Sequence, residues 1–270
     1  DYVNEYLFDG IYLLLAEDGS VMDENGFPVL QYVKGKFWVN NHAHIMQGKN
    51  GFSTEMIGDD HLSTGLETPM KSDAFKLSDS EKKERISILF EEIMDVLGLD
   101  LTDDSLKGTP KRVAKMYVEE IFSGLNPANK PKIALFDNKY QYNQMLVEKD
   151  ITFYSNCEHH FVPIIGKAHV AYISSGKVIG LSKLNRIVQY YAKRPQVQER
   201  LTMQVVQALQ EALGTQNVAC VIDAKHLCVN SRGIKDIESS TVTAEFGGKF
   251  KEKDRKREFL DYLKMDTDFD

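Results

Sequence analysis

Ile86, Leu89, Phe90, Ile93 and Leu97 recur at the three- and four-residue spacing that lines one face of a helix. Ser78 or Ser80 stands where an N-cap belongs, Glu81 or Glu84 falls in the first turn, and Gly98 sits where a C-cap belongs. A second helix is expected with Thr109 as N-cap and Pro110 at its first position. Val113, Met116, Tyr117 and Ile121 would share its apolar face, and Gly124 would end it. From Met145 the pattern changes. Residues 150–154 and 166–173 are β-rich runs, the second closing in the turn Ser174-Ser175-Gly176. Residues 181–191 predict a helix that stops before Pro195, and 197–213 a longer one stopped by Gly214. Strands follow over 218–224 and 241–246, then a charged helix over 249–264. Helices first, then strands interrupted by helices, predict an α+β fold rather than a repeated βαβ one.

Residues 1–55 read differently. Alternating apolar residues between the turn signals Glu17-Asp18-Gly19, Glu24-Asn25-Gly26 and Lys34-Gly35-Lys36 predict short strands, and the single tryptophan, Trp38, lies among them. Residues 48–80 are rich in Gly, Ser, Thr and Asp and read as a linker or arm. The expected organisation is a β-rich appendage over 1–55, a linker over 56–77 and one larger domain over 78–270.

Composition narrows the function classes. A formal net charge of −7 argues against a chain built to hold nucleic acid, though not against a local basic pocket for a phosphate ester. No apolar run approaches the roughly 20 residues that span a bilayer, and no signal peptide is visible. Three cysteines, an odd and small number, argue against a disulfide framework and for a reducing, cytoplasmic setting.

Candidate chemistry gathers in two clusters, Cys157-Glu158-His159-His160 and His226-Leu227-Cys228. Cys157 and His160 can face one ion from a tight turn, and Cys228 can complete a Cys₂His set with one coordination position open. His159 and His226 are then left beside the metal as proton carriers. Packed cysteines and surface histidines would give the same spacing, which leaves the two readings even. Cys220 and His169 lie inside apolar runs, so core packing suits Cys220 better. Lys183 and Arg186 share a helix face behind Ser182, where helix amides favour an anion, and Arg232 follows the second cluster. Glu199, next to Gln198, offers a carboxylate that can accept two N–H bonds from a guanine edge. His42 and His44 could share one strand face, but such a pair is more often polar surface.

Five stretches in order resemble GTP cyclohydrolase I: SLKGTPKRVA at 105–114, SNCEHHF at 155–161, GLSKLNR at 180–186, RPQVQER at 194–200 and HLCVNSRG at 226–233. The resemblance covers about residues 56–250. It implies conversion of GTP and water to formate and 7,8-dihydroneopterin triphosphate, the first step toward tetrahydrofolate-type pterins. It implies Cys157, His160 and Cys228 as Zn²⁺ ligands, His226 as the acid, His159 as a partner to the ribose and Ser182 in the ribose rearrangement. Lys183, Arg186 and Arg232 would bind the triphosphate, and Glu199, supported by Gln198, would read guanine. The implied fold is the tunnelling T-fold, closed into a barrel as a toroidal homodecamer with active sites between subunits.

Residues 34–45, KGKFWVNNHAHI, instead resemble a target-recognition segment of a type I restriction specificity subunit. That makes the first 55 residues an expected fused piece. It also supplies the competing reading, a DNA-recognition module with a passenger cyclohydrolase-like domain. A closed structural zinc scaffold and a cyclohydrolase that stops at a formamidopyrimidine are the further alternatives.

Overall fold

The computed structural model describes five strands within residues 6–39 and all of residues 66–265. The chain divides into two units, Asp1–Gly65 and Leu66–Asp270. The division falls inside the stretch expected to be a linker. In the first unit, β1 (Tyr6–Phe8), β2 (Ile11–Leu15), β3 (Val21–Met22), β4 (Pro28–Val33) and β5 (Lys36–Val39) form an antiparallel meander in sequence order. Short strands joined by turns were the expectation there. His42 and His44 lie outside the described residues.

The second unit opens with turns and bends over residues 66–77 and then helix α1 (Asp79–Val96). Ser78 and Glu81 form a reciprocal capping box. The Glu81 amide donates to Ser78 Oγ at 3.3 Å, and the Ser78 amide donates to Glu81 Oε2 at 2.7 Å. The apolar face of α1 is not core. Leu89 and Ile93 are 57% and 51% exposed, and Met94 is its one buried residue. Within one chain the face lines an open groove of 440 Å³ with Phe75, Tyr117 and Phe122.

Helix α2 (Thr109–Lys115) has Gly108, not Thr109, as its N-cap. The Thr109 hydroxyl instead accepts from Arg112 Nη2 at 2.8 Å, so it makes no cap bond. The helix does not run on regularly to residue 121: Met116–Ile121 widen into a π-helical turn.

The central sheet has the order β10-β7-β8-β11-β12. Its strands are β7 (Met145–Cys157), β8 (Pro163–Ile173), β10 (Pro195–Gln196), β11 (Val218–His226) and β12 (Thr241–Phe246). All neighbours are antiparallel except β10, which runs parallel to the end of β7. A separate pair joins β6 (Leu135–Asp137) and β9 (Lys177–Ile179). Helices α3 (Leu181–Ala192) and α4 (Gln198–Leu213) cover one face of the sheet. Leu184, Ile187, Leu201, Val205 and Leu209 pack there against Phe153, Val170, Cys220 and Ile222. Cys220 is fully buried, as expected of a core cysteine. The short helix α5 (Leu227–Asn230) follows β11 directly. The expected last helix is a 3₁₀ turn, Gly248–Lys251, followed by α6 (Lys253–Leu263). Phe250 and Phe259 from these two elements cover Met145, Ala171 and Val221 on the other face.

β8 and β11 approach too closely for a side chain at Gly166. A Cβ there would lie 2.4 Å from Ala224 Cβ and 2.5 Å from the Asp223 carbonyl oxygen. Gly166→Ala is therefore expected to lower stability by about 1–3 kcal/mol, the usual range for overpacking. Denaturant unfolding measures it, and an unchanged midpoint would contradict this strand contact.

Candidate active site and metal centre

β7 ends in a turn built to gather side chains. The Cys157 amide donates to the Val162 carbonyl at 2.9 Å, and the Phe161 amide donates back to the Cys157 carbonyl at 2.8 Å. Phe161 takes a left-handed φ of 54°, uncommon for a bulky residue. Asn156 Nδ2 holds its carbonyl at 3.1 Å. Phe161 also packs edge-on against Tyr117 and tilted against Phe122, which ties the turn to the π-helical segment. The turn brings Cys157 Sγ to 3.8 Å from His160 Nδ1 and 3.7 Å from His159 Nδ1.

The second cluster arrives on β11. His226 is its last residue and pairs with Ile164 on β8, one step from the Asn156–Pro163 pair that ends β7. The chain then turns into α5, which carries Cys228. Buried Asn230 fixes this turn by donating to the carbonyls of Asp236 and Ser239. The ligand atoms of Cys157, His160 and Cys228 all lie within 4.8 Å of one another.

The donor chemistry fits a metal ion. Burial raises the Cys228 thiol above its ordinary pKa, and the facing Cys157 thiol raises it further. Two sulfurs held face to face resist double ionisation, and a divalent cation between them removes that penalty. Neither Cys220 nor His169 belongs to the group. Three ligands are what a catalytic site uses, with a fourth position open. This Cys-His-Cys group can hold a metal.

His159 lies against the group through Cys157, and His226 stands two residues before Cys228. His226 is half-buried, and burial lowers its pKa, with Glu199 opposing. Its Nε2 lies 2.7 Å from Gln198 Oε1. Glu199 is exposed at the start of α4. Arg232 lies in the exposed stretch after α5, close enough for its charge to act on Cys228. Ser182, Lys183 and Arg186 stand on the first turns of α3. No hydrogen bond or ion pair among the described residues joins them to the Cys-His-Cys group. Lys183, Arg186 and Arg232 have no carboxylate partner among the described residues, so their charges are open to an anion.

The structure adds residues to which the sequence reading gave no role. Arg200 Nη1 binds Glu158 Oε2 at 2.5 Å, and Nη2 reaches Oε1 at 3.4 Å, with both side chains largely buried. The pair locks the ligand turn to α4, and Glu158 Oε1 lies 3.8 Å from His159 Nε2. The Glu158 amide donates to the Gln196 carbonyl at 3.0 Å. Arg194, whose guanidinium lies 4.7 and 4.6 Å from the ring centroids of Tyr190 and Tyr191, anchors the start of β10. Glu158, Arg194, Gln196 and Arg200 all lie within the motif stretches, but only the fold shows what they hold.

The family model for GTP cyclohydrolase I matches residues 86–264. The chain belongs to the GTP cyclohydrolase I family. It is 71% identical over 213 residues to GTP cyclohydrolase 1 of Flavobacterium johnsoniae, covering 79% of this chain and 96% of that one. It is 56% identical over 200 residues to the Citrobacter koseri enzyme, covering 74% of this chain and 90% of that one. The Yersinia pseudotuberculosis serotype O:1b enzyme is 55% identical over 207 residues, covering 76% and 93%. The chain is thus a hydrolase of this family, and GTP is the family's substrate. The matched model lies wholly within the second unit. These comparisons do not show the resemblance of residues 34–45 to a restriction specificity subunit, and they do not favour a DNA-recognition module. No helix among the described residues is long and apolar enough to cross a membrane.

If Cys157, His160 and Cys228 share one ion, Cys228→Ser should reduce metal content from about one per chain to below about a tenth of that. Cys220→Ala should leave it unchanged. Elemental analysis of the purified variants measures both, and full metal retention in Cys228→Ser would remove Cys228 from the ligand set.

Proposed function

We propose that this chain catalyses the zinc-dependent hydrolytic opening of the GTP imidazole ring at C8. Formate is released and the remainder rearranges to 7,8-dihydroneopterin triphosphate. The observation that carries the reading is the convergence of Cys157, His160 and Cys228, with His159 against Cys157 and His226 two residues before Cys228. A scaffold zinc needs no spare imidazoles. Two sulfurs and one nitrogen suit zinc among the divalent metals, and zinc held there supplies Lewis-acid activation of water at neutral pH.

The chain's own residues do the rest. His226, half-buried at the end of β11, moves a proton at the purine ring nitrogen freed as the ring opens. His159, on the exposed side of the ligand turn, faces the ribose. Ser182 takes part in the ribose rearrangement. Lys183, Arg186 and Arg232 bind the triphosphate, where charge and forked guanidinium geometry suit phosphate oxygens. Glu199 reads the guanine edge through paired acceptor bonds, with Gln198 behind it.

Ser182, Lys183 and Arg186 need not meet the metal group within one chain. We propose the tunnelling T-fold assembly, a toroidal homodecamer whose active sites lie between subunits. The exposed apolar face of α1 supports burial against another copy. The free cysteines fit the reducing cytoplasm as the site of the reaction.

Incubation with GTP should yield formate and the fluorescent pterin, and a chelator should abolish both. A product whose mass corresponds to a formamidopyrimidine would overturn the full reaction. His226→Ala should keep its metal and lose about 10²- to 10⁴-fold in turnover, as expected for a general acid. Unchanged turnover would reject that role.

A further inference from the structure

Gln198 is the first residue of α4 and only 1% exposed, so its side chain has no open path to a ligand. Its Nε2 amide lies 3.1 Å from the Ile222 carbonyl, 2.8 Å from the Thr241 carbonyl and 3.1 Å from Thr243 Oγ1. Two of these partners are carbonyls, which only accept. The NH₂ end must therefore point at β11 and β12, and a flipped amide would set oxygen against oxygen. The hydroxyls agree. Thr202 Oγ1 donates its one proton to the Gln198 backbone carbonyl at 2.9 Å. Thr243, 2.6 Å from Thr202 Oγ1, must then be the donor in that pair. Its oxygen lone pairs are left for the Gln198 amide. With the NH₂ end committed, Oε1 is what faces His226 Nε2 at 2.7 Å, and Oε1 can only accept.

We infer that Gln198 is a positioning residue that fixes the ring orientation and tautomer of His226. The hydrogen of the neutral imidazole sits on Nε2, and Nδ1 is the nitrogen that exchanges a proton with the substrate. Nδ1 has no hydrogen-bond partner among the described residues. The tautomer follows from the geometry alone. The role of Nδ1 rests on the reading of His226 as the acid. Gln198 thereby serves guanine chemistry through His226 rather than by touching the base, and Glu199 beside it is left as the reader.

The test is magic-angle-spinning NMR of the zinc-loaded holoenzyme carrying ¹³C,¹⁵N-histidine, at alkaline pH where the ring is neutral. His226 is assigned by its loss in His226→Asn. The expected spectrum shows His226 in the Nε2–H form alone. An Nδ1–H form in the wild-type protein would overturn the inference, whether or not the protein turns over GTP. Gln198→Met removes both the acceptor and the amide donors at nearly constant length. It should release the single tautomer and reduce kcat by about 10- to 100-fold, the usual scale for a ligand-orienting partner, with KM for GTP within about threefold. A retained Nε2–H form, or a raised KM with kcat intact, would overturn it in favour of direct contact with the base. If that variant fails to fold, the wild-type spectrum still decides.

Discussion

β8 lies between β7 and β11 and is antiparallel to both, so one register fixes two neighbours at once. Asn156 pairs with Pro163 and His226 with Ile164. These are adjacent positions on β8. The end of β7 and the end of β11 therefore reach the same edge of the sheet within about one residue's rise. The ligand turn and α5 start at that edge and face each other across it. A one-residue slip of either pairing would move the partner strand's side chains to the other face. Cys157 and Cys228, 71 residues apart by number, would no longer meet. The buried faces prevent such a slip. Phe153, Val170, Cys220 and Ile222 must all point toward α3 and α4, and Met145, Ala171 and Val221 toward α6.

The site is held from behind by buried polar groups that bond within the chain. Gln198 ties the start of α4 to β11, β12 and His226. Arg200, two residues further along α4, ties the same helix to Glu158 in the ligand turn. Gln196 on β10 donates from its amide to the Tyr191 carbonyl and to Gln204 Oε1, both at 2.8 Å. Helix α4 is thus the common support of the first ligand cluster and of the second. Its apolar stripe packs it on the sheet, and its first turn orients the chemistry. An ion pair and an amide placed this way are costly to break, because each broken partner leaves a buried polar group unpaired.

Much of this was legible in the sequence, for identifiable reasons. The ends of α1, α3 and α4 follow from Ser78, Glu81, Gly98, Pro195 and Gly214, whose backbone preferences are local. The five side chains of the metal site and its two flanking histidines were recognisable as types at fixed spacing and as parts of family motifs. Partnership across the fold was not legible. A two-residue strand that begins with Pro195 gives no periodic signal, so β10 was missed. The π-helical turn at Met116–Ile121 keeps a helical pattern of apolar residues and reads as plain helix. The face of α1 reads as core because periodicity reports amphipathicity, not what covers it. Gln198 looked like part of a ligand-binding pair, since nothing local shows that its amide is spent on Ile222, Thr241 and Thr243.

The central claim is that strand register builds one three-ligand metal site from Cys157, His160 and Cys228 with a fourth position open. X-ray absorption spectroscopy at the zinc edge of the zinc-loaded protein tests it most directly. The account predicts two sulfur ligands at about 2.3 Å and two nitrogen or oxygen ligands at about 2.0–2.1 Å. A shell with three or four sulfurs, or with none, would contradict it.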